Sequence, residues 1–309
     1  MKEHKSWLPY LLLAILAIIW GSSFILMKEG LKVMTSIQMA AYRISVCGLV
    51  FFPFVLKHFK RIEPKDRKYA LLAGLIGSGI PAFLFATSQK HINSSLAGIL
   101  NALTPVFTVL IAVVFTKLIL SKNKVFGVVI GFIGAMAIII GKMVNAGESD
   151  INIESSQVQY VLMIVLATFL YGANINLIKN KLAKYNAFVI ASTPLFMISI
   201  IAMIIMAFTD WSNIQEFQQS QVIRSFTAIT VLAIFGTSLS LILFNRLVQT
   251  SGPVFASSVT YFIPFVAVFL GLLDGETVLG VQILGMGLIL TGVYLINRRI
   301  KTPVADLTD

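Results

Sequence analysis

Long apolar runs alternate with short polar breaks along the whole chain. Ten runs reach the roughly 20 residues that a helix needs to cross a bilayer. They are Leu8–Met27, Ser36–Leu56, Tyr69–Thr87, Leu96–Leu118, Val125–Met143, Tyr160–Ile178, Phe188–Phe208, Ala228–Val248, Val254–Leu273 and Val278–Ile296. Hydrocarbon offers no water to a free amide or carbonyl, so each run is predicted to be a helix that satisfies its own backbone. The first run follows the basic stretch Met1–Lys5 and continues through Trp20 to Met27 with no small-x-small site after it. That length favours a retained helix over a cleaved leader.

The pattern recurs within the chain. Trp20-Gly21-Ser22-Ser23, with Lys28 and Leu31, returns 151 positions later as Tyr171-Gly172-Ala173-Asn174, with Lys179 and Leu182. Gly77, Leu84, Phe85, Ala97, Pro105 and Val109 return 159 positions later as Gly236, Leu243, Phe244, Ala256, Pro264 and Val268. Five spans separate the copies, and five is odd, so the second copy enters the membrane from the opposite side. The predicted fold class is an all-α integral membrane protein. Its ten transmembrane helices form two inverted five-helix repeats around a central cavity, a recurring build of secondary transporters. The predicted boundaries are 1–145 for the first repeat, 146–157 for an external linker, 158–301 for the second repeat and 302–309 for a cytoplasmic tail. The linker carries Glu148, Asp150 and Glu154 and no aromatic residue. A second polar loop, Thr209–Arg224, reads either as a short interfacial helix presenting Trp211, Ile214 and Phe217 or as irregular chain.

Composition agrees with this picture: 57% of the 309 residues are hydrophobic and 12% are charged. The net charge of +11 suggests nucleic acid only until the charges are placed. With the N-terminus in the cytoplasm, Lys28, Lys32, Arg43, Lys90, Lys142 and Arg224 fall outside, and the other 18 of 24 basic residues fall inside. That is the positive-inside bias, and it puts both termini in the cytoplasm of a cell-membrane protein. The basic stretch Lys57–Lys68 then orients the chain and touches anionic headgroups. The partners predicted are a small-molecule substrate and membrane lipids, with no nucleic acid.

Catalytic chemistry is missing from the spans. There is no HExxH pair, no Cys/His cluster, no Gly-x-Ser-x-Gly elbow and no phosphate-cradling loop. The histidines His4, His58 and His91 lie at span ends or in loops. No enzyme, metal or cofactor is predicted. No Asp or Glu lies mid-span, so no proton relay is visible, and Asp274 and Glu276 read as solvated turn residues. Cys47 reads as a small packing residue.

The polar groups at membrane depth are neutral. Trp20, Ser23, Asn101, Thr104, Tyr171, Asn174, Thr260 and Tyr261 are the candidate substrate-binding residues. Facing lipid would cost them several kcal/mol each, so they face the interior. Each also has a packing reading, because Ser, Thr and Asn join helices across interfaces. Pro105 and Pro264, at matching places, are candidate hinges together with Gly21 and Gly172. Arg43 has two readings: a partner for a substrate carboxylate, or a structural cation that snorkels or pairs with Glu29. The structural role is favoured. Gly127, Gly131 and Gly134 in span five, and Gly280, Gly285 and Gly287 in span ten, suit either tight packing within a monomer or a homodimer contact.

Taken together, these residues resemble the drug/metabolite transporter superfamily and its EamA-like ten-span permeases. The likeness is carried by Ile19-Trp20-Gly21-Ser22-Ser23-Phe24, Ala41-Tyr42-Arg43, Asn101-Ala102-Leu103-Thr104-Pro105, Ser258–Pro264 and Gly275-Glu276, and it spans residues 8–297. It implies a cavity lined by spans one, three, four, six, eight and nine, with five and ten peripheral. It also implies alternating access for small metabolites such as amino acids. No glutamate lies in span one, unlike the four-span proton exchangers, and no buried basic set suits a sugar phosphate. The expected activity is export of an amino acid or related small solute. The other classes considered are a lipid or lipid-carrier flippase and a non-transporting scaffold or receptor.

Overall fold

The computed structural model describes residues 7–116, 122–144, 155–251, 256 and 259–297, and all regular structure among them is helical. The order is α1 (Leu8–Gly30), α2 (Ser36–His58), α3 (Arg67–Gly74, Leu75–Gly79 and Ile80–Ser88), α4 (Ser94–Asn101 and Thr104–Thr116) and α5 (Lys122–Val144). There follow α6 (Ser155–Leu177), α7 (Ala187–Phe208), α8 (Gln219–Val231, Leu232–Leu239 and Ser240–Ser251), α9 (Val259–Leu273) and α10 (Gly280–Asn297). Among the described residues seven helices, α1 to α4 and α6 to α8, are long and apolar enough to cross a membrane. The shorter α9 and α10 are also strongly apolar. Most of the acidic linker and the whole 302–309 tail lie outside the described residues.

Burial follows the bilayer. Large apolar side chains such as Phe126, Phe269, Leu273 and Leu284 point outward, while Ser45, Ser88, Ser192, Thr193 and Ser199 are buried. A soluble core would sort them the other way. The chain is an integral membrane protein.

Local chemistry sets the boundaries. The side chain of Thr35 accepts the Gln38 amide to start α2, and Asn186 accepts the Val189 amide to start α7. These caps are 151 positions apart, the same offset as that between Trp20 and Tyr171. α8 begins nine residues before the predicted Ala228, because Gln218 and Gln221 cap each other's backbone. The preceding loop is part irregular and part helical, with a 3₁₀ turn at Ser212–Glu216. Trp211 there donates to the Met206 carbonyl.

Both α3 and α8 contain a π-helical stretch, Leu75–Gly79 and Leu232–Leu239. The two stretches enclose the repeat-related Gly77 and Gly236. Such insertions widen a helix, leave its usual hydrogen-bond ladder out of step and are frequent at functional sites.

Contacts between the halves recur with the halves exchanged. Trp20 in α1 lies against Phe244 in α8, with ring centroids 5.2 Å apart, and Tyr171 in α6 stacks on Phe85 in α3 at 6.1 Å. A Cβ on Gly21 would lie 2.4 Å from Val266 in α9, and one on Gly172 would lie 2.8 Å from the Thr108 amide and 2.9 Å from the Phe107 carbonyl carbon in α4. Phe107 and Val266 are again 159 positions apart. α2 crosses α7 where Gly48 meets Ser199, positions separated by 151. Gly21 and Gly172 lie inside unbroken helices. What they provide is backbone proximity rather than a bend.

The glycines of α5 and α10 face each other. A Cβ at Gly127 would lie 2.5 Å from the Gly292 carbonyl, and one at Gly134 would lie 2.7 Å from the Gly285 carbonyl. Gly127, Gly134 and Gly285 are thus packed within one chain. Gly280 and Gly287 have open space around them.

Replacing Gly134 by Val should force α5 and α10 apart and cost about 1–3 kcal/mol through overpacking. A melt in detergent should show it, while Gly287→Ala, which meets no neighbour, should melt like the unaltered protein.

Candidate functional site

The α8 π stretch is held from several sides. The Trp20 indole donates to the Gly236 carbonyl at 3.2 Å and to the Ser240 hydroxyl at 3.0 Å. Ser240 passes its own proton to the same Gly236 carbonyl at 2.7 Å. Arg43 in α2 donates to the Thr237 hydroxyl, from Nε at 3.1 Å and from Nη2 at 2.9 Å. The Cys47 thiol donates to the Ala233 carbonyl at 3.3 Å. The π stretch of α3 meets Asn174, whose Nδ2 lies 2.1 Å from where a Gly77 Cβ would be. The Oδ1 atom of Asn174 is buried and has no protein partner. Ser23, the counterpart of Asn174, sits beside Gly236 in the same way.

The predicted site residues divide into two groups. Trp20 and Asn174 meet the matched π stretches, and Tyr171 stacks on Phe85 in the part of α3 that follows its π stretch. Ser23 and Thr104 spend their hydroxyls on nearby backbone, Ser23 on the Ile19 carbonyl at 2.8 Å and Thr104 on the Asn101 carbonyl at 2.9 Å. Asn101 is half-buried at the end of the first part of α4. Thr260 and Tyr261 are half-buried in α9, which packs against that same part of α4. Pro105 follows a real break: α4 leaves the helix at Ala102–Leu103 and restarts at Thr104. Pro264 instead lies inside a continuous α9. The two prolines match in sequence but not in effect. Among the described residues no three His, Cys, Asp or Glu side chains gather into one cluster.

Two expectations about charge are corrected. Arg43 does not pair with Glu29, which is taken by Lys32 at 2.6 Å and Arg224 at 2.7 Å. Nor is Glu276 a solvated turn residue, since only 4% of its side chain is exposed. Its carboxylate accepts from the Ser94 amide at 3.1 Å, the Ser95 amide at 3.0 Å, the Ser95 hydroxyl at 2.8 Å and Lys28 at 2.8 Å. Lys28 also reaches Asp274 at 2.6 Å.

These contacts have a plain origin. Asn93 occupies the N-cap of α4 but makes no side-chain cap of its own. Two amides at the positive end of that helix are therefore left for Glu276 to cap from a distance. Gly275, with φ at +80°, makes the tight turn that delivers it. Gly271 leaves room, because a Cβ there would collide with Ser95 and Glu276. The result is a latch joining the end of α1, the start of α4 and the α9–α10 turn.

At the opposite end of α2, Lys184 pairs with Glu63 and with Asp66 at 2.8 Å, and the Tyr185 hydroxyl donates to Asp66. This second set ties the α2–α3 connection to the turn that follows α6 and its π-helical extension Ile178–Leu182.

An α-helical membrane protein with polar groups held at matched helix defects is the build of a transporter, and sequence comparison gives the family. The EamA-like transporter family matches residues 7–140 and 158–298, and the chain belongs to it. It is 25% identical over 293 residues to the inner membrane transporter YedA of Escherichia coli K12, covering 91% of this chain and 88% of that one. It is 22% identical over 302 residues to a transporter of Archaeoglobus fulgidus, covering 96% and 99%. A solved crystal structure shares the fold with a TM-score of 0.63, over 93% of this chain and 95% of its own, at 14% identity. The chain is a membrane transporter.

The latch sets a pH expectation. Burial pushes the Glu276 carboxyl up, but Lys28 and the Ser95 and Ser94 donors more than offset it, so the group is held below the ordinary carboxylate range. A depressed carboxyl contributes stability that is present above its unfolded pKa and lost as pH falls through the folded one. Glu276→Gln should destabilise the protein by about 1–3 kcal/mol at neutral pH, less than for a dry ion pair because Lys28 is partly solvated. Melting curves should show the gap between variant and parent closing below about pH 4.

Proposed function

We propose that the chain is a secondary transporter that works by alternating access and exports amino acids or related small solutes. Its two five-helix halves are inserted in opposite orientations, and both termini are cytoplasmic. The observation that carries this reading is the exchange of partners between the halves. Trp20 meets Phe244 as Tyr171 meets Phe85, and Ser23 meets Gly236 as Asn174 meets Gly77. A pair of contacts related by swapping halves is what two alternative, mirrored openings require. The Lys28–Glu276 latch then lies on the outer side and the Lys184–Asp66 latch on the inner side, following the positive-inside bias.

Several features support a small polar solute. The aromatic residue Trp20 edges the α8 π stretch, and Tyr171 stacks on Phe85 beyond the α3 one. The unpartnered Oδ1 of Asn174 offers an acceptor to a donor group such as an ammonium. Tyr171 and Asn174 are three residues apart on α6 and so share a face of it.

Purified protein in liposomes, offered a panel of amino acids and nucleosides, tests the reading. Solute flux above that of empty liposomes is expected for at least one amino acid. Asn174→Leu and Asn101→Leu should each lower that flux by about tenfold while folded yield holds, the loss expected for a hydrogen bond made to the solute. Flux no higher than in empty liposomes for every member of the panel would count against transport of this class.

A further inference from the structure

Arg43 is a permanent cation with no ion-paired carboxylate among the described residues. It lies seven residues beyond Ser36 in α2, about 10 Å along the helix axis, inside the membrane-spanning part. It is half-buried. Its Nε and Nη2 both donate to the Thr237 hydroxyl, and Nη1 reaches only the Met27 thioether, at 3.7 Å. Thr237 sends its own proton to the Leu232 carbonyl at 3.3 Å, so its oxygen is turned to accept from Arg43. A guanidinium carries five N–H donors. Two are met by the threonine, and a thioether is a weak acceptor.

Apart from Glu216, which is exposed in the Ser212–Glu216 turn, the acidic groups among the described residues are taken. Glu29 serves Lys32 and Arg224, Glu276 and Asp274 serve Lys28, and Glu63 and Asp66 serve Lys184 at the other end. Asp210 accepts from Ser212. Among the described residues Arg43 makes no ion pair. A charge at membrane depth is costly, and arginines near helix ends usually relieve the cost by snorkelling to the headgroups. Here the side chain is instead tied inward to the α8 π stretch. Thr237 follows Gly236, whose carbonyl the Trp20 indole meets, so Arg43 lies in the same region as that aromatic residue of the site.

We propose that Arg43 is the counter-ion of the transported solute, and that the solute presents a free carboxylate. A planar guanidinium fork matches a carboxylate in bidentate geometry. One cation suits one negative charge. A phosphate, with up to two, would call for a second basic group, and the nearby Lys28 and Arg224 are bound to acids. Thr237 aims the fork, and the π stretch that carries Thr237 couples the bound carboxylate to α8. The proposal rests on the transport reading and narrows it to a substrate class.

The test uses the full chain in liposomes and compares each L-amino acid with its α-amide and its decarboxylated amine. The expected result is transport of at least one acid, with its amide and amine about tenfold slower or worse, the scale of a lost charge-assisted hydrogen bond. Arg43→Gln should lower flux of that acid about tenfold or more, Arg43→Lys should retain part of it, and Thr237→Val should fall between. Amide or amine transported as fast as the acid would overturn the proposal while leaving the transporter reading intact. So would full flux in Arg43→Gln. If Arg43→Gln fails to fold, the acid–amide comparison on the unaltered protein still decides. Absence of flux for every compound would overturn the transport reading and this proposal with it.

Discussion

A carbonyl or amide released from its helix inside a bilayer must find its partner within the protein, because lipid supplies none. The two π stretches, Leu75–Gly79 and Leu232–Leu239, create that need at the centre of the molecule. Much of the interior is arranged around meeting it. The Gly236 carbonyl is met by Trp20 and Ser240, the Ala233 carbonyl by Cys47, and the Thr237 hydroxyl by Arg43. Trp20 belongs to the first half of the chain and Gly236 to the second. Satisfying one half's defect thus requires the other half. The close approaches at Gly21, Gly172 and Gly48 follow, since only small residues allow helices from the two halves to come near enough.

The same requirement connects the site with its ends. α1 supplies Trp20 at the centre and Lys28 at one latch. α4 supplies the break after Asn101 and the capped amides of Ser94 and Ser95. Motion of either helix would therefore be felt both at the latch and at the centre. The second latch, around Lys184, lies in the connection that follows α6, the helix that carries Tyr171 and Asn174. Each end is joined to the helix that brings one half's central residues.

Much of this was legible in the sequence, and the remainder was hidden for identifiable reasons. Apolar runs set the helices, because membrane helices depend on little else. Repeated letters at Trp20 and Tyr171, and at Gly77 and Gly236, marked the places where the halves later proved to exchange contacts. The break in α4 was announced by Pro105. Pro264 gave the same signal, yet α9 remains helical around it, because a proline lacks one amide but does not dictate how its neighbours compensate. π stretches have no residue signature: Leu75–Gly79 and Leu232–Leu239 hold glycines, while a third, Ile178–Leu182, holds none. Glu276 looked like a surface charge because its partners Lys28, Ser94 and Ser95 are far away in sequence. Ser23 and Thr104 looked available, yet short hydroxyl side chains in helices readily turn back to their own backbone. Arg43 was noticed but read as a structural cation that snorkels or pairs with Glu29. Thr237, its actual partner, offered only its position next to the repeated Gly236.

What the account depends on most is that the halves enter the membrane in opposite directions. Lys28 and Lys179 are repeat-related and so belong on opposite faces. In a Cys47→Ser background, with a single cysteine at one position or the other, an impermeant thiol reagent gives a direct answer in sealed cells and in inverted vesicles. The account predicts that Lys28→Cys reacts in intact cells and Lys179→Cys only in inverted vesicles. Labelling of both from the same face would contradict it.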